Sequence, residues 1–252
     1  MDRKEYNSAR EVVKRALEKI NFREEKERFN IYMAWFNLEN NFGTEDEANK
    51  VFKEALQCND EYQVLAKIAE IYVQSGNLTS AEECLLKRAR KFKKEAQAWL
   101  DLGQFHFKDK KDIKEARFVL QRALGCMEKT NEKVNVSSKF AQFEFNFGEK
   151  ERGKTIFENI VRDFPARTDQ WMVYVDSLTK HKDLEAARDV YERMINLALG
   201  PKKMKSMFKK YLEFEQAHGD ETSADSVKKK ALEYLEKQNV NVNEEDDPMD
   251  YC

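Results

Sequence analysis

Residues 171–195 read WMVYVDSLTKHKDLEAARDVYERMI, and their spacing decides the fold. An aromatic stands at Tyr174, a break at Lys182 eight residues later, and a small residue at Ala187 five residues after that. Val190 and Tyr191 then follow three and four residues on, which places them beside Ala187 on one helical face. The stretch therefore predicts a helix (A) carrying the aromatic, a tight turn, and a second helix (B) opening at the small residue.

The same frame recurs on both sides. Small residues fall at Ala9, Ala48, Ala81, Ala116, Gly153, Ala187 and Ala224, in steps of 39, 33, 35, 37, 34 and 37 residues. Five residues before six of them stand Gly43, Gly76, Lys111, Gly148, Lys182 and Gly219, and eight residues earlier stand Trp35, Ile68, Gly103, Phe140, Tyr174 and Tyr211. A period of this length is the signature of stacked helix pairs, in which each hairpin buries its apolar face only against its neighbours. Glycine at the turn suits a left-handed C′ position; Lys111 and Lys182 depart from it and require another geometry or a strained lysine. Thr44 and Glu47 have capping-box spacing ahead of a helix. Small residues let paired helices approach closely, while Trp35, Trp99, Trp171 and Tyr174 are expected to fill the seam, with Phe140 and Tyr211 at the helix A landmark.

Composition agrees. The 252 residues contain three prolines and eight glycines, 41% are hydrophobic and 37% charged, which suits long surface helices around a core. Residues 239–252 hold five acids and no base, so the formal charge of −2 becomes +3 without them. Residues 1–238 are expected to form one helical-repeat domain and residues 239–252 an acidic disordered tail. Pro165 and Pro201 are expected in loops between repeats. The four cysteines have no paired spacing, no apolar run reaches 18 residues, and the first residues form no signal-type apolar core. Neither zinc site, disulfide framework, membrane span nor secretion is indicated.

The run Ala-Arg-x-Val-aromatic-Glu-Arg at residues 187–193 and EARFVLQRAL at residues 115–124 resemble the half-a-TPR (HAT) repeat of RNA-processing scaffolds. Uneven steps favour HAT over the uniform tetratricopeptide repeat (TPR). INFREEKERFNIYMAWFNLENNFGTED (residues 20–46), KFAQFEFNFGEKERGKTIFENIV (139–161) and LGPKKMKSMFKKYLEFEQAHGD (199–220) are similar to the C-terminal repeat region of the ribosomal RNA processing protein five family, also called programmed cell death protein eleven. The resemblance spans residues 7–237. It implies an all-α fold, a right-handed α-α superhelix (solenoid) of about six HAT/TPR-like helix pairs. It also implies a non-catalytic scaffold in ribosome biogenesis in the nucleus and nucleolus, supporting pre-rRNA processing and small-subunit precursor assembly. Pre-ribosomal assembly proteins and pre-rRNA would be its partners. That family's proteins are long nucleolar factors with OB-fold repeats ahead of the helical part, and this chain has none.

Two basic clusters are candidates for phosphate contact: Lys87, Arg88, Arg90, Lys91, Lys93 and Lys94, and Lys202, Lys203, Lys205, Lys209 and Lys210, both read as crossing a repeat boundary. The competing reading is a solvated face, lysines being favoured at helix C-termini by the dipole. Phe208 and Tyr211 interleave with the second cluster and fit the core better than base stacking. His106, His181 and His218 lie in separate repeats with no nucleophile motif, phosphate loop or metal spacing beside them, so no catalytic residue, metal, cofactor, small-molecule substrate or membrane partner is expected. A HAT scaffold of a splicing or polyadenylation complex, and a primarily RNA-binding module, stay open as alternatives.

Overall fold

The computed structural model describes residues 3–245 apart from residue 22, and side chains only from residue 5 to residue 237. The described residues form thirteen α-helices and no strand: α1 (Arg3–Lys19), α2 (Glu25–Phe42), α3 (Glu45–Cys58), α4 (Glu61–Gln74), α5 (Leu78–Lys91), α6 (Ala96–Lys108), α7 (Ile113–Cys126), α8 (Thr130–Phe147), α9 (Lys150–Asp163), α10 (Thr168–Lys180), α11 (Leu184–Ile195), α12 (Pro201–His218) and α13 (Glu221–Glu245). This is the all-α helical-repeat class, with α1 a lone B-type helix and α2 to α13 six A–B pairs.

Two compact units partition the chain, residues 1–150 and residues 151–252. In the first, α2 to α7 pack in chain order, each helix against the next, and α6 also meets α8. Phe36, Leu65, Ile68, Leu102 and Phe140 are fully buried there. In the second, Phe157, Leu178, Met194 and Met204 hold the equivalent place. Among the small positions, Ala48, Ala81, Ala116, Gly153, Ala187 and Ala224 are buried, and Ala9 of the lone helix is half-buried. Trp99 and Trp171 are buried, their indole N–H groups donating to the carbonyls of Lys93 and Pro165. Trp35 is only half-buried and donates to Glu39 Oε1 at 2.9 Å. Gly103 sits where a Cβ would come within 2.3 Å of the Phe140 ring, so glycine is required there by close approach.

Local signals set several boundaries. Thr44 and Glu47 form the expected reciprocal capping box at the start of α3. Asp60, Asn77, Asp112 and Asp183 cap α4, α5, α7 and α11 through their side chains. Pro165 lies in the α9–α10 loop, whereas Pro201 opens α12 as its first residue, where its missing N–H would have had no partner anyway. Residues 239–245, expected at the start of a disordered tail, instead continue α13 as helix. Elongating a formed helix fixes one residue per added hydrogen bond, so polar asparagines extend what Ala224 and Val227 anchor. Residues 246–252 of that tail lie outside the described residues.

The six turns are of two kinds. Gly76, Lys111 and Lys182 have φ of 82°, 58° and 61°, the left-handed geometry, so both lysines carry the strain that a Cβ brings there. Gly43, Gly148 and Gly219 do not follow the left-handed expectation: their φ values are −94°, −119° and −103°. Their glycines are explained by space. A Cβ at each would lie 2.2 to 2.3 Å from a carboxylate oxygen of Glu39, Glu144 or Glu215, four residues upstream.

Candidate functional site

Those three glutamates are buried charges, each about 2% exposed, and an arginine from the preceding B helix neutralises each one. Arg10 Nη2 lies 2.6 Å from Glu39, Arg117 Nε 2.7 Å from Glu144, and Arg188 Nε 3.0 Å from Glu215. Burial alone would raise the Glu39 carboxyl, but donation from Arg10, Tyr6 and Trp35 holds it below the ordinary value. Every arginine follows a small position directly. The rule is wider than arginine. Glu82, after Ala81, pairs with Lys110 at 2.6 Å, and Lys154, after Gly153, pairs with Asp183 at 2.7 Å. The residue after the small position thus carries a charge that is answered by the next hairpin in five of the six repeats followed by one, Asn49 being neutral. Sequence reasoning missed this network; its signal was an arginine after the small residue recurring together with Glu-x-x-x-Gly in the next hairpin.

The basic clusters differ in their surroundings. Lys87, Arg88, Arg90 and Lys91 end α5, where the helix dipole favours cations. Arg88, expected to contact phosphate, is buried: its guanidinium lies over the Tyr62 ring, 3.8 Å from the centroid, and pairs with Asp101. It is therefore withdrawn as an RNA contact. Lys87 and Lys91 share Glu61, and Lys94 pairs with Glu128 at 2.8 Å. Arg90 and Lys93 are exposed with no ion pair among the described residues.

The second cluster does not cross a repeat boundary: all five lysines belong to α12. Met204, Met207, Phe208, Tyr211 and Phe214 face inward, and Tyr211 stacks on Tyr191 with centroids 4.7 Å apart. At about 100° per residue, Lys202, Lys203, Lys205, Lys209 and Lys210 cover an arc of roughly 160° on the opposite side, along about 12 Å of helix. All five are exposed. Lys209 and Lys210 approach Glu213 at 3.8 and 3.5 Å, whereas Lys202, Lys203 and Lys205 have no ion pair among the described residues. The first turn of α12 contains no acid, and Gly200 provides no side-chain cap. Cations at a helix N-terminus oppose the dipole, so the helix-stability explanation that serves the α5 cluster does not serve this one. Lys202, Lys203 and Lys205 add their charge to the positive end of the helix dipole and make one positively polarised end.

Among the described residues no group of histidine, cysteine and acidic side chains has metal-binding geometry, and no helix is long and apolar enough to cross a membrane.

The sequence model of the family described as Suppressor of forked protein (Suf) matches residues 55–245. Over 92% of its length the chain is 43% identical to the protein named Protein RRP5 homolog from Mus musculus, and it spans 12% of that relative. The Homo sapiens protein of the same name is also 43% identical over the same shares. The protein named rRNA biogenesis protein rrp5 from Schizosaccharomyces pombe is 39% identical over 92% of this chain and 14% of its own length.

Proposed function

This chain belongs to the Suppressor of forked protein (Suf) family and carries the helical-repeat region it shares with RRP5 proteins, and on that premise we propose that it is a scaffold in rRNA biogenesis. It works by binding, in the nucleus and nucleolus, holding small-subunit assembly proteins through its helical surfaces and precursor rRNA through α12. The name rRNA biogenesis protein borne by its relatives supports the process. The observation that carries the RNA contact is the lysine arc of α12, five exposed cations of which Lys202, Lys203 and Lys205 stand in its first turns without an ion pair among the described residues.

Binding through these lysines is electrostatic and largely independent of sequence, each phosphate contact adding roughly 0.7 to the salt slope on a single strand. Replacing Lys202, Lys203, Lys205, Lys209 and Lys210 by glutamate is expected to weaken binding to small-subunit precursor RNA in a gel shift and to flatten its salt dependence. An unaltered slope rejects the RNA contact while leaving the protein-scaffold reading to a pull-down of assembly proteins. Co-purifying RNA identifies the process: precursor rRNA supports it, and spliceosomal RNA overturns it.

A further inference from the structure

Helix α7 turns an unusual side to solvent. Ala116, Val119 and Ala123 face the core, while Phe118, 61% exposed, stands on the opposite side. Two residues after the small position the other repeats carry Glu11, Lys50, Glu83, Thr155, Asp189 and Ser226, all polar. An exposed phenylalanine adds neither burial nor strong helix propensity, so α7 gains nothing from it.

Cations frame the ring. Lys114 and Arg122 lie one turn to either side, and steps of four residues place the three side chains within an arc of roughly 80°, along about 12 Å of helix. Both are exposed and have no ion pair among the described residues. Lys114 stands in the first turn of α7, where a cation opposes the dipole and where the other repeats carry Asn7, Asp46, Thr79, Glu151, Glu185 or Thr222. Six residues after the small position, Lys87, Arg193 and Lys230 each meet a glutamate. Arg122 instead lies over the Trp99 ring, 5.6 Å from the centroid, which positions the guanidinium and leaves its charge unanswered.

Two unpaired cations select an anionic partner, and the size of the apolar contact selects its kind. A stable protein interface buries about 800 Å² on each side around an apolar centre. Here one ring stands alone, no other large apolar side chain of α7 being exposed. A single base is the matching unit, since aromatic rings stack on base faces whatever the sequence while basic groups follow the backbone. We propose that Lys114, Phe118 and Arg122 form a stacking site for one base of single-stranded RNA, the ring meeting the base and the two cations the phosphates beside it. This adds a second kind of RNA contact, in the first unit, and rests on no residue of α12.

The test is fluorescence anisotropy with a labelled ten-nucleotide oligouridylate and the whole chain carrying Lys202→Gln, Lys203→Gln, Lys205→Gln, Lys209→Gln and Lys210→Gln, so that the α12 contact is silent. Phe118→Ala is expected to weaken binding about tenfold without changing its salt slope or the thermal melt, because the ring is exposed and carries no charge. Phe118→Tyr should bind within about twofold of the parent, since it keeps the stacking face, and Phe118→Leu should bind as poorly as alanine. Lys114→Gln with Arg122→Gln should lower the salt slope by roughly 1.4, two phosphate contacts on a single strand. No binding in this background, or indifference to Phe118→Ala, overturns the stacking site and leaves the α12 contact to its own test. Leucine performing as well as phenylalanine also overturns it, because the ring would then serve as plain apolar surface for a protein. Loss of binding on substituting the α12 lysines in the native chain bears on that contact alone.

Discussion

Two kinds of hairpin alternate irregularly along this chain, and they solve one problem by different physics. Helices α2, α8 and α12 are each 18 residues long and end at a glycine of negative φ; α4, α6 and α10 have 13 or 14 and are followed within three residues by a left-handed one. The extra length lies at the start. Long helices begin ten residues before Trp35, Phe140 and Tyr211, short ones six or seven before Ile68, Gly103 and Tyr174. Four residues before the turn, the long kind has a buried glutamate and the short kind has Tyr72, Phe107 or Leu178. In the short kind the turn closes its own carbonyls, as where Asn77 N–H donates to Tyr72 O at 2.9 Å and Asp183 N–H to Leu178 O at 3.0 Å. In the long kind the turn is held from outside by an arginine of the preceding helix. One class is specified locally and the other between repeats.

Removing that outside support should have the largest effect. Arg117→Ala leaves Glu144 buried without its guanidinium and is expected to cost about 3–5 kcal/mol in urea unfolding. Arg117→Met combined with Glu144→Leu removes both charges and should cost much less, on the order of 1 kcal/mol, because apolar replacement of a whole buried pair is often neutral. If the single change cost as little as the double, the glutamate would be solvated and the two classes would not differ in this respect.

A glycine substitution sharpens the contrast. Gly148→Ala places a Cβ 2.2 Å from Glu144 Oε2 and should cost about 1–3 kcal/mol through overpacking of the ion pair. Gly76→Ala meets open space but a φ of +82°, so about 1–2 kcal/mol of backbone strain is expected. Asparagine, which tolerates the left-handed region, should relieve part of the loss at Gly76 and none at Gly148. Equal behaviour at both sites in thermal melts would mean that one cause acts at both.

This contrast also marks where the sequence is legible. Period, helix class and the odd status of Lys111 and Lys182 follow from residue spacing, because each is set within a few residues. Gly43, Gly148 and Gly219 looked identical to Gly76, yet their reason is a carboxylate whose partner lies 27 to 29 residues away. Spacing within one helix does not reveal a partner on another. Arg88 misled for the same reason: its neighbours Lys87, Arg90 and Lys91 are exposed, and only the three-dimensional approach of Tyr62 and Asp101 removes it from the surface. The α12 lysines were legible as a cluster, but their place at a helix start rather than across a boundary was not, because Pro201 suits both a loop and a first helical turn.

Reversing strain gives a smaller effect of opposite sign. Lys111→Gly and Lys182→Gly should each stabilise the chain by about 0.5–1 kcal/mol, since relief of the left-handed Cβ exceeds the added freedom of the unfolded chain. The same exchange at Lys110, one residue away, should not stabilise, because it removes the ion pair with Glu82. A gain in melting temperature at Lys111 and none at Lys110 is the expected pattern.

Mild acid separates the two classes most gently. His106, in short-helix α6, is fully buried, and neither ring nitrogen has a hydrogen-bond partner in the protein; Glu82 is 3.8 Å away. Burial lowers its pKa below the ordinary 6.5. The unfolded chain therefore takes up the proton first, and stability contributed by the neutral ring is intact above 6.5 and declines as pH falls below it. Glu39, in long-helix α2, is lowered from 4.5, so its contribution holds until pH drops below that value and is lost through the folded pKa. Between pH 6.5 and 5 hydrogen exchange should quicken around α6 before it changes around α2, and His106→Gln should flatten the slope of stability against pH in that window. Simultaneous loosening of both helices would show that the acid response belongs to the whole repeat array and not to the group buried in each class.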